Sequence, residues 1–225
     1  EETCQALFGW INMTDFEDRK SYAKGSLQDL EHADIMGFLK GWLEEAKAAD
    51  PDDYNAMTLS TVGRDGHPNA RIVLLRSLEQ TETGWAVAFY TNYQSEKGLE
   101  LSGHPFAAAT FFWSALERQL RIRGRVDKMS PAESDRYFAS RPRESQIGAW
   151  ASEQSQEVQG RKERHAAWDE QNKRHSGEVP RPAHWGGFLL SIGHIEFWQG
   201  RPGRMHDRIS ATHSDGAWDI ARLQP

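Results

Sequence analysis

AMTLSTVGRDGHPNARIVLLRSL, residues 56–78, decides the fold. Ala56–Val62 reads as a strand, and Gly63-Arg64-Asp65-Gly66 as a hairpin turn whose glycines tolerate positive φ. The return strand, Asn69–Leu78, contains RIVLL, an apolar run without alternation, which predicts burial on both faces. Side chains alternate along a strand, so Arg71 and Arg76 are expected to project to opposite faces. An unpaired buried charge is costly, so arginines bracketing a buried run point to a ligand or an interface. A plain surface site for one of them is the alternative.

On the N-terminal side, Asp34 can cap a helix whose apolar face is Ile35, Phe38, Leu39, Trp42, Leu43 and Ala46, ended by Asp50-Pro51. Residues 16–31 are polar and broken by Gly25, and read as an extended arm bearing Arg19, Lys20 and Tyr22. Residues 1–15 are expected to be a disordered extension, with Met13 as a natural start.

On the C-terminal side, Trp85–Asn92 is a strand, and Ser95 caps a short helix through Leu101 with Lys97 in its first turn, where backbone N–H groups can receive a phosphate. Phe106–Trp113 pairs with Glu117–Lys128, whose Leu120, Ile122 and Val126 share one face while Gln119, Arg121, Arg123 and Arg125 share the other. Ser130-Pro131 with Glu133 is a capping box with proline at the first helical position, opening a helix to about Ser140. RPRESQIGAW (141–150) reads as clustered Arg141, Arg143 and Ser145 before an apolar turn, 152–176 as a charged helix holding Gln154 and Ser155, and 177–182 as a linker. Trp185–Trp198 returns to strand, and Ala217–Leu223 is a last short one. In HIEFWQGRPGRMHDR (194–208) a strand breaks at Gly200, Pro202 and Gly203, then presents Arg204, His206 and Arg208. Guanidiniums and an imidazole after a turn suit an anion, because the arginine fork makes parallel charge-assisted bonds; a solvated hairpin end is the alternative. About seven strands with few helices between them imply a mainly β chain, an antiparallel barrel with peripheral helices (α+β), in one domain over 16–225.

With 225 residues the chain can bury a substantial core. A net charge of -6 argues against a generic nucleic-acid binder, although the Arg121, Arg123 and Arg125 stripe keeps that alternative in view. One cysteine, Cys4, excludes an internal disulfide and fits a reducing compartment. No window is apolar enough to cross a bilayer, and residues 1–12 hold no Lys or Arg, so neither a membrane nor a secretory signal is expected and the chain reads as cytoplasmic. No P-loop, GxGxxG, HExxH or GxSxG is present, and no metal site is expected from nine scattered histidines. The surplus of Arg, Tyr, Trp and Ser at element ends binds phosphates and rings but supplies little acid, base or nucleophile. Redox chemistry would then come from a bound cofactor.

RIVLLR (71–76), FYTN (89–92), ERQ (117–119), YFASRPRESQIGAW (137–150), PAHWGGF (182–188), IEFWQG (195–200), RMHDR (204–208) and RLQP (222–225) together resemble the pyridoxine/pyridoxamine 5′-phosphate oxidase family, in its order and spacing. The resemblance implies an FMN-binding split β-barrel homodimer with FMN at the subunit interface. It implies oxidation of the C4′ amine or alcohol of a phosphorylated B6 vitamer to pyridoxal 5′-phosphate, with O2 reduced to H2O2. Flavin contacts carry over to Arg71, Ile72, Val73, Leu74, Leu75, Arg76, Tyr90, Thr91, Lys97, Gln119, Gln154, Ser155, Trp198 and Arg208. Substrate contacts carry over to Arg76, Tyr137, Arg141, Ser145, Arg204 and His206, with Arg19 and Tyr22 as a lid. Arg204 and His206, two apart on an extended segment, are the expected catalytic pair, orienting the ring and stabilising developing charge.

Two positions depart from the family pattern. Arg76 stands where lysine is usual, and Glu96 where arginine is usual in an SRK triplet that faces the FMN phosphate, which implies weaker FMN retention. Two alternatives stand beside the resemblance: a same-fold flavin oxidase of the phenazine-pathway type, and a non-catalytic flavin- or pyridoxal-phosphate-binding module. The intact RPRESQIGAW, with Arg141 and Ser145, favours the vitamer-phosphate oxidase.

Overall fold

The computed structural model describes residues 21–30 and 34–225. The expected extension over 1–15, with Cys4, and the arm residues Arg19 and Lys20 lie outside these. Asp34 caps helix α1 (Ile35–Ala49), accepting from the amides of Met36 and Gly37 at 3.1 and 2.9 Å. Strands β1 (Ala56–Val62) and β2 (Pro68–Leu74) form the antiparallel hairpin read in the sequence, and Gly66 at its turn has φ 81°. Then come β3 (Ser77–Thr81), β4 (Gly84–Asn92), α2 (Glu96–Gly103), β5 (Phe106–Trp113) and β6 (Arg118–Lys128). Helices α3 (Pro131–Ala139), α4 (Arg143–Ala151) and α5 (Arg161–Arg174) follow, and β7 (Trp185–Ser191), β8 (His194–Gln199), β9 (Asp207–Ser214) and β10 (Ala217–Leu223) complete the chain. The capping box at Ser130 and Glu133 is formed.

The strands close a split barrel. β1 lies between β2 and β5, β5 pairs with β6, β6 with β7, β7 with β4 and β4 with β3, the continuation of β2. One edge of β6 serves two partners. Residues 118–123 pair with β8 and 126–128 with β7. Gly124 sits at the changeover, where any Cβ would collide with the Ser191 carbonyl oxygen. Beyond β8, β9 and β10 extend the sheet. Met57, Leu59, Phe89, Phe111, Leu120, Ile122 and Leu190 fill the interior, all fully buried. α1 covers the flank. Trp42 lies edge-on to Phe197 and Trp113, and burial of each such ring contributes roughly 1.5–3 kcal/mol. A smaller core of Phe138, Ile147, Val179 and Trp185 joins the helical side to the barrel.

Several expectations are corrected. Asn69–Leu78 is two strands. At Leu75 and Arg76 the chain leaves β1, donating to Asn55 O at 2.8 Å, and joins β4, donating to Ala88 O at 2.9 Å. Alternation therefore says nothing about Arg71 relative to Arg76. RIVLL is not buried on both faces, since Ile72 is 64% and Leu74 36% exposed on the outer side of β2. Trp185–Trp198 likewise divides at Ile192-Gly193, where the partner changes from β4 to β9. β9 went unread, so the described residues hold ten strands rather than seven. Within 141–150, where an apolar turn is expected after Ser145, the chain is helical from Arg143 to Ala151, and the helix expected from 152 begins at Arg161, leaving Gln154 and Ser155 in irregular backbone with Ser155 at φ 72°. Among the described residues no helix is long and apolar enough to cross a membrane.

Candidate active site

The expected site residues fall into two groups. The first surrounds the end of β4. Lys97, in the first turn of α2, is buried, and among the described residues its ammonium donates only to neutral oxygens: Ser95 Oγ at 3.2 Å, Thr91 Oγ1 at 3.3 Å and Gln154 Oε1 at 3.4 Å. Burial, then the Arg71 charge, holds its pKa below the usual lysine range, with Glu96 and Glu100 opposing. Arg71 donates to Thr61 Oγ1 and to Glu100 Oε2, the latter at 2.9 Å. Burial alone would push the Glu100 carboxyl up, but hydrogen bonds from Thr61 and Asn69 and the Arg71 charge hold it down. Glu100 thus fixes the Arg71 fork. It was missed in the sequence because a glutamate inside a short helix carries no local signal.

Beside this lies an aromatic stack. Tyr90 and Tyr137 are parallel with centroids 3.7 Å apart, and Trp185 continues the stack 5.6 Å from Tyr90. Burial, then the Tyr137 phenol, pushes the Tyr90 hydroxyl up to about 12. The Arg141 guanidinium lies 4.4 Å from the Trp185 ring, and its Nη1 is buried without a hydrogen-bond partner among the described residues. Burial lowers the Arg141 pKa, Tyr137 opposes that, and the like charge of Arg76 adds to it. Arg76, exposed just after the break that ends β2, thus acts on Arg141 through its charge. Ser145 sits half-buried in the first turn of α4. Arg143 serves structure instead, donating to His175 O and to Gly177 O at 2.7 Å. Leu75 is buried and Val73 half-buried, while Ile72 and Leu74 face outward.

The second group lies across β6, β8 and β9. The register places Gln119 opposite Trp198 and Trp198 opposite Arg208. Arg208 Nε donates to Glu196 at 2.9 Å, and Arg121 donates to the other Glu196 oxygen at 3.1 Å. Glu196 is only 4% exposed, so this carboxylate orients Arg208. It too was unread, because its pairing depends on strand register. Arg204 and His206 do not lie on an extended segment. Pro202–Arg204 is a single 3-10 turn, and Arg204 has φ 62°, a region costly for a non-glycine residue. The His206 ring rests 4.7 Å from Trp198 and 5.5 Å from Tyr22. Its Nδ1 accepts from the Arg201 amide at 3.1 Å, which leaves Nε2–H as the donor in the neutral ring.

Residues 43–172 match the family described as pyridoxamine 5′-phosphate oxidase, and 185–225 match the pyridoxine 5′-phosphate oxidase C-terminal dimerisation region. The pyridoxine/pyridoxamine 5′-phosphate oxidase of Cupriavidus pinatubonensis is 49% identical over 216 residues, 95% of this chain and 100% of that one. That of Synechocystis is 50% identical over 92% of this chain and 96% of its own. Among solved structures, PhzG from Burkholderia lata, in complex with tetrahydrophenazine-1-carboxylic acid, is similar at TM-score 0.81 and 26% identity, over 90% of this chain and 100% of that one. A pyridoxamine 5′-phosphate oxidase-related, FMN-binding protein from Nostoc punctiforme shares the fold at TM-score 0.70 and 16% identity, over 86% of this chain and 98% of its own. With the first match covering more than half of the residues and relatives about half identical over nearly the whole length, the chain belongs to the pyridoxine/pyridoxamine 5′-phosphate oxidase family.

Proposed function

We propose that this chain is a cytoplasmic FMN-dependent oxidase that converts pyridoxamine 5′-phosphate and pyridoxine 5′-phosphate to pyridoxal 5′-phosphate, reducing O2 to H2O2. The observation that carries the reading is Arg141 Nη1, a buried guanidinium nitrogen without a partner among the described residues, held over the Trp185 ring that also stacks with Tyr137. Leaving such a donor unmet is expensive, and a phosphate dianion is the acceptor that suits it. Arg141, Arg76, Tyr137 and Ser145 bind the substrate phosphate. Arg204 and His206 hold the pyridine ring, His206 through its Nε2–H, and Tyr22 covers it.

The residues also fit FMN. Lys97 is a buried ammonium with only neutral partners, next to an arginine pinned by Glu100, and an anionic phosphate completes that set. Arg71 through Arg76, Tyr90, Thr91, Lys97, Gln154 and Ser155 of one chain, with Gln119, Trp198 and Arg208, would hold it. When bound, FMN supplies the two-electron acceptor that this polypeptide lacks and an outlet to O2. Residues 16–225 act as the single FMN-binding domain, and residues 1–15 stand outside it.

The chain works as a homodimer with FMN at the subunit interface. The uncovered face of β2 and β5, with Ile72, Leu74, Phe106 and Phe112 exposed, is the surface that pairs, bringing the first group of one chain to the second group of the other. The purified protein is expected to be yellow and to release aldehyde and peroxide from each phosphorylated vitamer under air. Protein that stays colourless in excess FMN would refute the reading.

Two further outcomes follow. Glu96, exposed beside Lys97, places a negative charge near the proposed phosphate position. Glu96→Arg is expected to slow FMN dissociation several-fold, on the order of one added charge-assisted bond; an unchanged off-rate counts against that placement. Arg204→Ala and His206→Ala are each expected to cut kcat by roughly 10²-fold or more with the flavin spectrum intact. Loss of flavin instead would assign these side chains to the cofactor.

A further inference from the structure

Two residues within the family motifs have no task in the chemistry proposed above: Glu117 of ERQ and Arg222 of RLQP. Both meet the same stretch, residues 21–30, which has no helix or strand of its own. Glu117 is 3% exposed, and its Oε2 accepts from two successive arm amides, Ala23 N at 2.8 Å and Lys24 N at 3.0 Å. Its backbone is left-handed, φ 56°, where glycine or asparagine is at less cost. A glutamate set against that preference indicates that the side chain itself is needed.

Arg222 grips the arm three to five residues beyond Lys24. It donates to Leu27 O at 2.9 Å, to Asp29 at 2.6 Å and to Asp207 at 3.0 Å, while the other Asp207 oxygen accepts from Leu27 N at 3.0 Å. Arg201 adds a bond to Gly25 O at 2.7 Å. Between the clamp and the site stands Tyr22, edge-on to Trp198 at 5.6 Å and to His206 at 5.5 Å. Its ring lies so close to the Gly200 backbone that a Cβ there would be 2.5 Å from Tyr22 Cδ1.

We infer that Glu117 and Arg222 are positioning residues, a two-point clamp that docks residues 23–29 and so sets Tyr22 against the His206 and Trp198 rings. The clamp rests on the proposed function only for its catalytic consequence. Its geometric content is that the docked arm resists local opening.

The test uses the full-length chain and limited trypsin digestion, comparing cleavage after Lys24 with cleavage after Arg64 in the exposed hairpin turn. Glu117→Ala and Arg222→Ala are each expected to speed cleavage after Lys24 about tenfold, the scale of a lost charge-assisted hydrogen bond, and to leave Arg64 unchanged. KM for pyridoxamine 5′-phosphate should rise about tenfold with FMN absorbance unaltered, and Glu117→Gln, which keeps an acceptor oxygen, should restore most of both. Wild-type cleavage after Lys24 in both alanine variants overturns the clamp. If both sites are cut faster, the chain has opened globally and Ala23→Pro decides. It removes one of the two donors and leaves the body untouched, so faster cleavage after Lys24 supports the clamp and an unchanged rate overturns it. A wild-type protein without oxidase activity defeats the proposed function and leaves the clamp to the digestion alone.

Discussion

Arg141→Ala is expected to lower kcat/KM for pyridoxamine 5′-phosphate by roughly 10²-fold or more, from at least two lost bonds to a dianion at about 1.5–3 kcal/mol each. The loss should fall mainly on KM, because the phosphate lies away from the reacting carbon and its binding is common to ground and transition states. Flavin content should be unchanged. Unphosphorylated pyridoxamine supplies the control. With no phosphate to hold, variant and wild type should turn it over alike, and an equal loss on both substrates would show that Arg141 acts on something else. Arg141→Lys should fall between, since an ammonium keeps the charge but not the planar fork. The folded protein should tolerate the change, because the guanidinium rests on Trp185 and its inner nitrogen bonds to nothing.

Lys97→Met is expected to act in opposite directions on the two states of the protein. FMN affinity should fall by about 10- to 100-fold, the loss of one charge-assisted bond to phosphate. The FMN-free protein should become more stable, with a higher thermal midpoint. An ammonium held by Thr91, Ser95 and Gln154 has no counter-charge in contact, and an apolar side chain of similar length removes its desolvation cost. Titrating FMN against flavin fluorescence, with melting curves recorded at each end, reads both effects. A variant that binds FMN like the wild type, or whose FMN-free form melts lower, contradicts the role given to Lys97.

What could be read from the sequence depended on whether the signal was local. The α1 stripe with its Asp34 cap, the 56–66 strand and turn, the Ser130 capping box and the ends of β5 and β10 are each written within a few residues, and each is found where expected. The breaks at Leu75-Arg76 and Ile192-Gly193 are matters of which strand is next door, and no residue pattern within the run announces a change of neighbour. β9 hid because DRISATHS offers only Ile209 and Ala211 as inward side chains. The second half of α4 imitates a turn in the sequence, because the helix has no side-chain cap at Pro142 and contains Gly148.

The same division holds at the site. Arginines, tyrosines and Lys97 could be listed from motifs, and their grouping agrees with the need for anionic partners. The acids that aim them could not. Glu100 reaches Arg71 from another element, Glu196 meets Arg208 only through strand register, and Glu117 bonds to an arm 93 residues away. Local backbone geometry also differs from the expectation for Arg204 and His206. Arg204 and His206 were expected on one extended run, but a turn with a left-handed Arg204 presents them instead.

The shared edge of β6 has a consequence for how this molecule comes apart. Because the closed part and the β8–β10 extension hang from successive stretches of one strand, neither can detach without stripping amides from that strand and disturbing the seam at Gly124. The two halves are therefore expected to open as one unit, with protection against hydrogen exchange decaying together along the whole of β6 rather than stepwise from either side.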